Sequence, residues 1–205
     1  MKDQIQARYT SESSANCNLS CGSNLAYLDI APGEAILDLG CGRGRETIDA
    51  ANLAGPDGKA VGLDITPAMI EQAKNLAANA GVRNIEFVFG DIEELPFSDA
   101  AFSAAMSNCV INHAHNKQRA YEEIHRVLLP GGRFVISDAV TKHPLPEAVK
   151  NDPQAWAECY GGAVTREEYL ASIRLAGFSN LQILNQREYD KNGYEFISIT
   201  LMGYK

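Results

Sequence analysis

The stretch Ala35-Ile36-Leu37-Asp38-Leu39-Gly40-Cys41-Gly42-Arg43-Gly44 decides the reading of this chain. A short apolar run, Ala35–Leu39, has the length and bulk of a buried strand. A glycine-rich turn follows, then a helical pattern to about Ala54 that Gly55-Pro56 ends. Such a turn between strand and helix lets a ligand approach the backbone closely, and the helix N-terminus offers N–H groups. Either a dinucleotide or an adenosyl cofactor suits it. The dinucleotide pattern G-x-G-x-x-G would need glycine where Arg45 stands. Asp38, just before the turn, is instead placed to meet a cationic amino group.

Outward from this turn, strand and helix patterns alternate. Strands are expected at Ala60–Leu63, Ile85–Phe89, Phe102–Met106 and Arg133–Ser137. Helices are expected from Pro67, with Thr66 as N-cap and Gly81 past the end, and over Lys117–Leu129. Thr165 and Glu168 form a capping-box pattern that opens a further helix ending at Gly177. Two last strands, near Leu181–Gln186 and Glu195–Met202, have only a turn at Asn192-Gly193 between them, so the final one should be antiparallel. The fold class is α/β, a doubly wound and mostly parallel sheet. One domain over 1–205 is expected, with 1–34 as an N-terminal cap segment. Residues 139–164, with three prolines and the sole Trp156, read as a lid over the carboxyl edge of the sheet.

Acids recur at the strand ends. Asp64 closes the second strand, where a carboxylate can accept from both hydroxyls of a ribose. Gly90-Asp91-Ile92 follows the third, where Asp91 can accept from an adenine amino group while Ile92 packs on the ring. The formal charge of −8, from 18 basic and 26 acidic residues, has no offsetting Lys/Arg cluster and argues against nucleic acid as a partner. No apolar run reaches the ~18–20 residues of a membrane span. The polar start lacks an export signal, and five cysteines do not make a secreted disulfide framework, so a cytoplasmic setting is expected.

On these residues the chain resembles the class I S-adenosylmethionine methyltransferases over residues 33–203. The resemblance implies a seven-stranded sheet with one reversed strand and S-adenosyl-L-methionine as cofactor. Asp38, Gly40, Gly42 and Gly44 match the family's first motif, Asp64 its ribose acid and Asp91 its adenine contact. Cys41, Ile65, Met69, Gly90, Ile92 and Asn108 complete the expected cofactor site. A narrower resemblance, to arsenite methyltransferases, rests on Ser107-Asn108-Cys109-Val110-Ile111-Asn112, on Cys159-Tyr160-Gly161-Gly162-Ala163, and on Asp64-Ile65-Thr66-Pro67 with Met69. It implies that Cys109 and Cys159 hold trivalent arsenic. Asn18-Leu19-Ser20-Cys21-Gly22 matches the segment carrying a further redox cysteine. The family's earlier cysteine has no clear counterpart, a place Cys17 could fill, and a thiol reductant would be a partner.

The chemistry is coherent, since soft thiolates select thiophilic centres. Trivalent arsenic keeps a lone pair after thiolate binding and can attack a methyl group without a base, so alignment carries the catalysis. Methylation of oxygen or nitrogen would call for a base, with His113 and His115 the nearest candidates. Cys41 reads as a small buried hydrophobe, His125 and His143 as surface residues. Two other functions fit the same cofactor site: transfer to a small organic acceptor such as a quinone or polyketide, and a non-catalytic cofactor- or arsenic-binding regulator.

Overall fold

The computed structural model describes residues 1–12 and 24–205. Seven strands form one sheet: β1 (Ala35–Leu39), β2 (Lys59–Asp64), β3 (Ile85–Phe89), β4 (Phe102–Asn108), β5 (Leu128–Thr141), β6 (Ser179–Lys191) and β7 (Tyr194–Tyr204). Their order is β3-β2-β1-β4-β5-β7-β6. The first five pair in parallel, and β7 runs antiparallel between β5 and β6. The order reverses between β1 and β4, and there the carboxyl ends of neighbouring strands open a crevice.

β1 lies in the middle of the sheet and is buried on both faces, hence its unbroken apolar run. Ile36 faces a core shared with Ala50, Ala51, Met106 and Val135. Leu37 and Leu39 face the opposite core with Tyr121, Ile124, Phe134 and Tyr169. Helices α3 (Arg45–Ala54) and α4 (Pro67–Ala80) cover the first face, α5 (Lys117–Val127) and α8 (Arg166–Leu175) the second. Gly81 ends α4 in a left-handed conformation, and Thr165 and Glu168 complete both halves of the capping box, whereas Thr66, at the N-cap position of α4, makes no side-chain capping bond.

Several boundaries differ from expectation. β5 continues through Thr141, paired with Phe196 across β7, so the segment read as a lid leaves the sheet three residues later than 139. It carries two short helices, α6 (Glu147–Lys150) and α7 (Pro153–Ala157). Helix α5 stops at Val127, because Leu128 already pairs with Phe102 of β4. The cap segment contains helix α1 (Lys2–Glu12), which its polar composition had hidden, and α2 (Leu25–Leu28). Buried Asn24 anchors α2, donating to the Ser107 carbonyl at 2.6 Å and accepting from the Ser137 hydroxyl at 2.6 Å. Among the described residues no helix is long and apolar enough to cross a membrane.

Candidate active site

A cavity of about 650 Å³ opens at the carboxyl edge of β1, β2, β3 and β4. Asp38, Gly40, Cys41, Gly42, Asp64, Ile65, Met69, Gly90, Asp91, Ile92, Asn108, Cys109 and Cys159 all line it. Gly44 does not. Its φ of 75° starts α3, and a Cβ there would strike the Phe87 ring at 2.6 Å, so this glycine serves helix-on-strand packing. At Gly40, φ +70°, a Cβ would lie 2.2 Å from the Val110 side chain, and the backbone must be bare for the turn to close beneath the cavity.

The amides of the glycine turn itself are engaged within the protein. Gly40 and Cys41 donate to the Leu63 carbonyl, Gly44 to that of Cys41, and Gly42 to the Asp64 carboxylate at 2.9 Å. What the turn presents is carboxylate. Asp38 is buried in the central strand with the Thr47 hydroxyl donating to one oxygen at 2.6 Å. Burial, countered in part by Thr47 and reinforced by Glu46 and Asp64, pushes its pKa up to about 7. A buried acid with one short partner, facing a cavity, is electrostatically suited to a ligand's ammonium group. Asp64 accepts one backbone bond on each oxygen, from Gly42 and from Thr66 at 2.8 Å, which leaves a lone pair on each for a diol. Burial raises its pKa, against the two backbone donors. These residues fit S-adenosylmethionine: acids for an amino group and a ribose, a glycine floor, and Met69 and Ile92 as apolar walls.

Asp91 carries a contact not foreseen. The Lys2 ammonium of α1 pairs with its Oδ2, and the Glu93 amide donates to Oδ1 at 3.0 Å. Helix α1 thus walls the cavity through Lys2, Ile5, Arg8 and Tyr9. Only Ile5 of the helix is buried, and the remaining contacts are individual polar ones, including Gln6 to the Ile65 carbonyl and Arg8 to the Ala157 carbonyl. Nothing in the apolar pattern could have flagged it.

Cys109 and Cys159 reach the cavity from different directions, one directly after β4 and the other after α7. Both hold a left-handed backbone, with φ 59° and 65°. Cys109 is disulfide-bonded, so it is not the thiolate the sequence reading assumed, whereas Cys159 and Cys41 are free thiols. Cys17 and Cys21 lie outside the described residues. Around Cys159 Sγ stand the Tyr9 hydroxyl at 3.0 Å, His113 Nε2 at 3.2 Å and Arg8 at 3.9 Å. Burial raises the Cys159 pKa, opposed by Tyr9 and Arg8. Burial also lowers the pKa of His113, to about 4. His115 instead stacks on Trp156 at 4.8 Å, outside the cavity lining. Behind His113, buried Asp138 accepts from the Asn112 amide at 3.0 Å and from the Tyr169 hydroxyl at 3.2 Å, fixing the turn that carries the histidine.

The sheet order and the acids at its carboxyl edge define the class I methyltransferase architecture. The chain belongs to the methyltransferase-domain family, whose model matches residues 30–177. An arsenite methyltransferase of Halobacterium salinarum is 41% identical over 184 residues, covering 90% of this chain and 46% of its own length. A demethylmenaquinone methyltransferase of Symbiobacterium thermophilum is 37% identical over 117 residues, 56% of this chain and 46% of its own. The chain spans about half the length of the curated relatives it matches. Among solved structures, an arsenic(III) S-adenosylmethionine methyltransferase from Chlamydomonas reinhardtii superposes with a TM-score of 0.79 at 30% identity, over 98% of this chain and 73% of that one. Within the family, the chain resembles the arsenite methyltransferases.

Proposed function

We propose that this protein methylates trivalent arsenic held by Cys109 and Cys159. The observation that carries the reading is that both cysteines line the same cavity as Asp38 and Asp64. When bound, S-adenosylmethionine supplies a methyl group made electrophilic by its sulfonium. Asp38 would hold the ammonium of that cofactor, Asp64 its ribose hydroxyls, and Met69 and Ile92 its adenine. Cys109 needs a reductant first: two equivalents of a small thiol open its disulfide and leave as their own disulfide. The two thiolates then fix arsenic with its lone pair unshared, so that orientation rather than proton removal sets the rate.

The test is methyl transfer to arsenite in excess thiol, with Cys109→Ser, Cys159→Ser and the double variant compared. Because the two sulfurs act as one chelate, each single variant should lose nearly as much activity as the double, while Cys41→Ser stays mild. Single variants that keep the parent rate would make the cysteines packing residues. A second reading, transfer to a hydroxyl-bearing organic acceptor, is favoured by one feature: a neutral imidazole, His113, inside the cavity as a base. Transfer to such an acceptor with none to arsenite would select it.

A further inference from the structure

We propose that Arg45 binds the carboxylate of S-adenosylmethionine and makes the site specific for a cofactor with a complete amino-acid end. The inference rests on the cofactor half of the reading above and is independent of the acceptor. The methionine end of that cofactor carries an ammonium and a carboxylate on one carbon. Asp38, in meeting the ammonium, also repels the carboxylate unless a cation or a set of N–H donors faces it. The glycine turn leaves few donors: the amides of Gly40 and Cys41 are engaged by Leu63, that of Gly42 by Asp64 and that of Gly44 by Cys41. A cationic side chain has to do the work.

Five lysine and arginine side chains line the cavity: Lys2, Arg8, Arg43, Arg45 and Lys191. Four of them are engaged. Lys2 pairs with Asp91, Arg8 with Glu12 at 2.8 Å, and Lys191 donates to the Glu158 carbonyl at 2.8 Å. Arg43, like its cavity neighbour Glu46, also has a contact within the chain. Among the described residues, the guanidinium of exposed Arg45 has neither an ion-pair nor a hydrogen-bond partner. Its position suits the task. Arg45 is the first residue of α3, directly after the turn. Two residues further on, Thr47 ties this first helical turn to the end of β1 through its bond to Asp38 at 2.6 Å. The ammonium-binding acid and the free cation are therefore mounted on one corner of the fold. A planar guanidinium can grip both oxygens of a carboxylate. The dinucleotide pattern has glycine at this position, and this chain supplies a cation there instead.

The test uses two ligands that differ by the carboxylate alone: S-adenosylmethionine and its decarboxylated form, which keeps the adenosine, the sulfonium and an ammonium. Calorimetry at pH 8, where Asp38 is charged, gives the Kd of each for the parent, Arg45→Gln, Arg45→Glu and Asp38→Asn, with no acceptor present. The parent should prefer the intact cofactor. Arg45→Gln should weaken S-adenosylmethionine about tenfold, the scale of one charge-assisted pair, and change the decarboxylated ligand by less than about twofold. Arg45→Glu should reverse the preference. Asp38→Asn should weaken both ligands, because both carry the ammonium. Equal losses for the two ligands in Arg45→Gln would make the residue a structural one and overturn the proposal. Unchanged affinity for both would also overturn it, while the cofactor assignment stands. A parent that binds neither ligand would bring down the cofactor assignment and this inference together.

Discussion

Asp38 has opposite effects on stability and on ligand affinity, and the two can be separated by pH. In the folded protein its pKa is raised to about 7, well above that of an exposed aspartate. Between the unfolded and folded values the native state therefore binds more protons than the unfolded chain. This group's contribution to stability is fully present at low pH and is lost as pH rises through about 7. Its ionisation in the ligand-free protein costs on the order of a few kcal/mol. Buried Asp138, raised to about 6, acts in the same direction, so Asp38→Asn is needed to isolate the effect. We expect Asp38→Asn to raise the ligand-free melting temperature at pH 8 and to abolish most of the affinity for S-adenosylmethionine. In the parent, affinity should fall about tenfold per pH unit below about pH 7, where the acid loses its charge. Calorimetry across pH 5.5–8.5 checks both; a flat affinity profile would show that Asp38 does not hold the ammonium.

Helix α1 and the segment carrying α6 and α7 close the same cavity from two sides. Arg8 of α1 reaches the Ala157 carbonyl, and Lys191 of β6 donates to the Glu158 carbonyl at 2.8 Å. Trp156 braces the second element from beneath, its indole donating to the Lys150 carbonyl at 2.6 Å. These elements are tied down by polar contacts that are each worth little at a surface, such as the Lys2–Asp91 pair that holds α1 to the loop after β3. Both elements should therefore exchange amide hydrogens readily in the free protein and slow together when cofactor and arsenite are added. Protection identical with and without ligands would make them fixed walls. The sequence disclosed these elements unequally. α4 announced itself by Pro67 at its start and Gly81 past its end, α8 by its capping-box residues, and the parallel strands by short apolar runs. α1 buries one side chain, Ile5, and is held by point contacts that have no periodicity to read. The same limit applied to the site. Asp38, Asp64 and Asp91 were legible because strand ends are fixed places in this topology, whereas the pairing of His113 with Cys159 joins side chains 46 positions apart on separate loops.

For the molecule as a whole, the reversal of strand order between β1 and β4 is what gathers groups from four strand ends into one cavity, and Cys109 and Cys159 belong to its rim. Cys159 sits there at φ 65°, a backbone conformation that a residue with a side chain enters at a cost of about 1–2 kcal/mol, and that glycine or asparagine enters far more readily. The position is thus one where heredity works against the local chain. In a laboratory lineage evolved under reducing conditions for heat resistance alone, with no demand for turnover, residue 159 should drift early to glycine or asparagine. Deep sequencing of the survivors would record it, and persistence of cysteine there would mean that the thiol contributes to stability after all. Placed under arsenic stress instead, the same population should purge those substitutions, and the contrast between the two regimes would measure how much fitness the organism draws from one uncomfortable thiol.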